Sequence, residues 1–140
     1  MPRYENWETR LSEFLEECID KPFKRGQHDC ALFAANCINV VRNTKEDIGK
    51  EFRIDYKNRQ KAVELLKKKG FANLEAVATK KLGPKYPSAK FGKRGDCVSV
   101  KCSEGIALAI VDLTGKRAVT TGKNGLEYYS INEWLNAWEV

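Results

Sequence analysis

The sequence is poor in the groups that usually perform hydrolytic or metal chemistry. His28 is the one histidine in 140 residues, so no imidazole cluster exists to ligate a metal or to relay protons. Five cysteines, Cys18, Cys30, Cys37, Cys97 and Cys102, form no CxxC pair and are odd in number, which makes reduced thiols the expectation and zinc an unsupported one. No cofactor or metal is expected. Long apolar runs are missing as well: Arg3, Glu5, Glu8, Arg10, Glu13, Glu16 and Glu17 interrupt any secretory core, and no run approaches bilayer-spanning length. These absences predict a soluble protein made in a cytoplasm, with no membrane span.

What is present supports one domain over residues 1–140, because 42% hydrophobic content suffices for an ordinary core without disulfide or metal staples. A formal charge of +6 concentrates in Lys67, Lys68 and Lys69 and again in Lys80, Lys81, Lys85, Lys90, Lys93 and Arg94. Tyr86 and Phe91 lie among those lysines, an arrangement that can serve a basic module binding nucleic acid or a host protein. No RNA- or DNA-binding motif accompanies it, and a solvated helix end followed by a basic loop is the plainer explanation.

Apolar spacing through Trp7, Leu11, Phe14, Leu15 and Cys18 predicts a helix over residues 7–19, with Asn6 as N-cap and Pro22 as block. Cys30, Phe33, Ala34, Cys37, Ile38 and Val41 predict a second over 30–42, capped by Asp29. A third spans 58–69 and stops at Gly70; a short fourth, carrying Leu74, Val77, Ala78 and Leu82, ends at Gly83-Pro84, before a basic loop over 87–94. The period then changes. Short β-branched or apolar runs at 97–100, 106–113, 118–121 and 126–129, separated by glycines, predict an antiparallel meander. Residues 131–138 predict a terminal helical turn whose tryptophans cover the sheet. Helices first and strands afterwards give an α+β domain, N-terminal helices packed on a C-terminal antiparallel sheet.

One segment carries chemistry. Gly26-Gln27-His28-Asp29-Cys30 leads through a turn into the second helix, and free amides at a helix start stabilise a thiolate, making Cys30 a candidate nucleophile. A Cys-His enzyme needs its base opposite the thiol, and His28, two positions upstream, is either that base or a locally bonded turn residue. Asp29 fits a helix cap better than a catalytic carboxylate, which would oppose a neighbouring thiolate. Asp96, Ser99, Thr120 and Thr121 are the polar groups that the topology brings nearest, while Trp134 is either core cover or a stacking platform for a glycan.

These residues resemble the NlpC-type cell-wall peptidases, papain-like enzymes with a Gly-x-x-Asp-Cys nucleophile helix and a Gly-Asp strand start. Gly26, Asp29 and Cys30 match the first element, and Gly95-Asp96 matches the second. Ala107 stands where that family carries its catalytic histidine. A closer resemblance, over nearly the whole chain, is to an uncharacterised phage and prophage family of NlpC-like layout. It adds Arg53 to Tyr56, Gly125-Leu126 and Ala137-Trp138, although Arg25 replaces its usual aromatic residue. The resemblance implies a papain-like fold in a tail-associated protein that binds phage tail proteins or bacterial cell-wall peptide without cleaving it, carried in the virion tail. The alternatives are a thiol hydrolase on peptidoglycan stem peptides using Cys30 and the basic binding module described above.

Overall fold

A computed structural model of the protein describes residues 2–24, 27–54, 58–103 and 105–140. Gly26, Arg25 and Tyr56, three positions of the resemblance, lie outside the described residues. Within them the chain forms α1 (Trp7–Cys18), α2 (Cys30–Val41), α3 (Arg59–Lys68) and α4 (Leu74–Leu82), followed by β1 (Cys97–Cys102), β2 (Gly105–Val111), β3 (Arg117–Gly122), β4 (Gly125–Ser130) and β5 (Trp134–Trp138). This is an α+β arrangement with one antiparallel sheet in the order β4-β3-β2-β1-β5.

Local chemistry explains most helix limits. Asp29, Asn58 and Asn73 are extended and accept from backbone amides three residues on, Leu32, Lys61 and Ala76, at 2.8–2.9 Å. Asn6 occupies the cap position of α1 but makes no side-chain cap bond, so that part of the expectation fails. The basic loop is less open than predicted: a 3-10 turn over Ala89–Phe91 lies against β5.

The helical turn expected over 131–138 is confined to the first three residues of that segment. A 3-10 turn over Ile131–Glu133 leads instead into β5, which pairs with β1. Its register slips between Ser99 and Val100, so Trp134 faces Val100 while Trp138 faces Cys97 with opposite orientation. The slip explains why Trp138 joins Leu11, Phe33, Cys37 and Ile110 under the helices, whereas Trp134 joins Val98, Ala107, Ala109 and Ala118 on the reverse face. Both faces of the sheet are thus buried, which accounts for the nearly continuous apolar run of β2.

One seam in the sheet is short. β1–β2 and β3–β4 pair along their lengths, but β2 and β3 pair only at Ile110–Val119 and Val111–Ala118. Beyond those pairs the strands part, and α2 packs across both of them.

Candidate functional site

The approach to α2 is a tight return. The Lys24 and His28 amides each donate to the other's carbonyl, at 2.9 and 2.6 Å, and Asp29 then caps the helix through Leu32 N–H. Cys30 is consequently fixed as the first helical residue. Its sulfur accepts from the backbone N–H groups of Ala31 and Leu108, so a helix start and the stretch of β2 that does not pair with β3 both point donors at it. Those donors favour thiolate, but burial dominates, with the Asp29 carboxylate adding to it, and the thiol is pushed up to about 12. The part of Cys30 that remains accessible faces a cleft rather than bulk solvent.

That cleft, about 720 Å³, runs beneath α3 and between α2, α4 and the parted strands. Its walls are largely apolar, with Ile38, Phe52, Leu66 and Val77 contributed by four different segments. Ala107 belongs to the wall beside Cys30 and offers no atom that can take a proton. Thr120 and Thr121 also line it, at 1% and 6% exposure, and their hydroxyls have no hydrogen-bond partner.

The other candidates are held elsewhere. His28 is buried with its ring edge-on to Phe33, 5.9 Å between centroids, and takes no part in the cleft wall. Burial, with Lys21 second, lowers its pKa and keeps the imidazole neutral. Asp96 is wholly buried and accepts from Arg3 Nη2, Tyr86 Oη and Lys93 N at 2.9 Å and from Val140 N at 3.0 Å. All its acceptor capacity goes to tying distant segments together. Trp134 is 6% exposed and donates its indole N–H to Tyr129 O at 3.1 Å, which leaves no open ring face of the kind a sugar stacks on. Of the sequence candidates, Cys30 and Thr120 meet in one cleft; His28, Asp96 and Trp134 do not join them.

A family model described as a domain of unknown function, DUF6950, matches residues 2–140. The chain belongs to that family. No curated protein matches it.

In this DUF6950 chain sequence reasoning missed the cleft itself, the amide of Leu108 and the contribution of α3, whose Ala62, Val63, Leu65 and Leu66 line the cavity although no residue of the helix is buried. It also missed how Arg53 works. That guanidinium bonds Asp47 at 2.7 and 2.9 Å and Asn36 Oδ1 at 2.6 Å, while Asn39 bonds Asp47 and the Ile48 amide, clamping the loop before α3 onto α2. The Arg53 bonds hold the Asp47 carboxyl well below the ordinary carboxylate range. Two asparagines three apart on an otherwise apolar helix were the available signal. No group of side chains suited to a metal occurs among the described residues, and none of their helices is long and apolar enough to cross a membrane.

Proposed function

We propose that this DUF6950 chain is a phage or prophage tail-associated protein of NlpC-like, papain-type layout that does not hydrolyse and instead binds a tail component or cell-wall peptide in the cleft. Support for the layout comes from the order of elements: a thiol opens a helix that lies against an antiparallel sheet, and that thiol lines the cleft. The observation that carries the loss of catalysis is the state of Cys30. It is a partly buried thiol with a pKa of about 12, Ala107 lines the same cleft, and the one imidazole is packed on Phe33. General-base assistance contributes roughly two to four powers of ten to such a reaction; no imidazole lines this cleft, and its carboxylates are engaged, Asp29 in capping α2 and Glu127 in accepting from Tyr129 Oη.

The test is incubation of purified peptidoglycan with the wild type and with Cys30→Ala, followed by mass analysis of released peptides and by co-sedimentation. Neither protein should release product, a control enzyme should cleave the same preparation, and both should bind it or a co-expressed tail protein equally. Product formed by the wild type and lost in Cys30→Ala would overturn the reading. A slow thiol hydrolase is the second reading, favoured by the two amides that point at the sulfur.

A further inference from the structure

The cleft is chemically lopsided. β2 and β3 are antiparallel, so the stretch of β2 near Gly105 that does not pair with β3, and the end of β3 from Thr120 to Gly122 with Lys123 just beyond it, lie at one end of the sheet, together with the end of β1. Arg59 is at that end too, since its Nη2 lies 3.1 Å from where a Cβ on Gly105 would stand. Polar and charged lining groups gather there: the Cys30 thiol, the Thr120 and Thr121 hydroxyls, Arg59 and Lys123. Among the described residues the carboxylates that reach the same end are Asp29, committed to capping α2, and Glu127, which accepts from Tyr129 Oη at 3.1 Å. Away from this end the walls from α2, α3 and α4 are mostly aliphatic, with Lys81 held by Glu51 at 2.5 Å.

Successive residues of a strand alternate between faces, so one of the two unpartnered threonine hydroxyls is on the cleft side, and a ligand acceptor there would remove its cost. Two cations at that end select an acceptor that carries negative charge or a strong dipole. The cleft as a whole, about 720 Å³, has the volume of a site that buries a drug-sized ligand, a class spanning roughly 300–1,000 Å³. We propose that the cleft binds an acyl chain, its carbonyl or carboxylate at the Thr120–Thr121 end and its hydrocarbon beneath α3. This deepens the reading above and rests on it only in taking the cleft as a binding site.

Calorimetric titration of the full chain with octanoate, decanoate and dodecanoate tests the proposal. Affinity should rise about fourfold per methylene until the cleft is full. Absence of binding throughout, or affinity independent of chain length, would overturn it. Decyltrimethylammonium should bind at least tenfold more weakly than decanoate; equal affinity would overturn the head-group assignment. N-decanoylglycine amide separates sources: binding as tight as decanoate identifies an acylated peptide as an acceptable ligand, and binding to decanoate alone identifies a free fatty carboxylate. Ala62→Trp fills the cleft from α3, outside the core, and should cut decanoate affinity tenfold or more while thermal unfolding stays two-state. Unchanged affinity in that folded variant would place the ligand elsewhere and refute the site; Thr120→Val with Thr121→Val provides the second check, by erasing the preference for carboxylate over ammonium. Incubation with a decanoyl thioester should leave Cys30 unmodified. An adduct on Cys30 would refute the non-catalytic reading while the chain-length series still decides the acyl site.

Discussion

Cys30 should react slowly with a small neutral disulfide reagent at neutral pH, and the size of the effect follows from its surroundings. A pKa of about 12 against the ordinary 9.0 leaves ~1,000-fold less thiolate in the folded chain than in the unfolded one. A more basic sulfur is a better nucleophile, and a Brønsted slope of about 0.4 to 0.5 over that interval returns a factor of roughly 15 to 30. The net expectation is a rate about 30 to 60 times below that of the same thiol in urea-unfolded protein, before any steric hindrance. Stopped reactions digested and mapped by mass would follow Cys30 separately from Cys18, Cys37, Cys97 and Cys102. The logarithm of its rate should climb steadily with pH well past 9.0, the ordinary thiol value, without levelling. A plateau below that pH, or a folded-state rate equal to the unfolded one, would mean that the Ala31 and Leu108 amides outweigh burial, and the non-catalytic reading would lose its support.

Other expectations concern stability and a restored base. Cys30 and Cys97 are raised to about 12 and Cys37 well above 9.0, all chiefly by burial, so above pH 9.0 the folded state keeps protons that the unfolded state gives up. Unfolding free energy should therefore fall as pH rises through that value, by up to ~4 kcal/mol per pH unit for the three thiols, read as urea midpoints from pH 8 to 10; a flat profile would contradict it. Asp96→Asn leaves the Arg3 guanidinium without its carboxylate and sets an amide against several donors, and should cost about 3 to 5 kcal/mol by chemical denaturation. Gly125→Ala places a Cβ 2.5 Å from the Ile19 carbonyl oxygen at φ +126° and should lose at least 1 to 3 kcal/mol in the same assay, roughly the cost of the strained backbone alone. Ala107→His puts an imidazole in the cleft wall and should quicken disulfide exchange at Cys30 near pH 7; no gain in a folded variant would argue against a papain-like relation between β2 and the α2 thiol.

The helices were legible in the sequence because their signals are local. Asp29, Asn58 and Asn73 each satisfy an amide three residues away, and Gly70 and Gly83 adopt positive φ where their helices stop. β5 was not legible for the opposite reason. Trp134, Leu135 and Trp138 follow helical spacing, and what makes the segment a strand is its partner β1, some 35 residues earlier, with a register slip that no local pattern announces. The site divides the same way. A thiol at a helix start can be read from Asp29-Cys30, but the direction of the His28 ring depends on Phe33, and the cleft is a space left between α2, α3, α4 and two parted strands. Asp96 read as a turn residue; its role emerges only when Arg3, Tyr86 and Val140 arrive from distant parts of the chain.

The short pairing of β2 with β3 also makes the sheet mechanically uneven. Its ladders divide into two plates, β4-β3 and β2-β1-β5, joined by the short hinge line at Ile110–Val119 and Val111–Ala118. Tension between the outer strands would split it through the middle before peeling either edge, because the ladders flanking the hinge are longer. α2 spans the hinge line, and its first residue is Cys30. Residues of both plates line the cleft, Ala107 and Leu108 from one and Thr120 and Thr121 from the other, so a ligand held there would touch both sides of the seam.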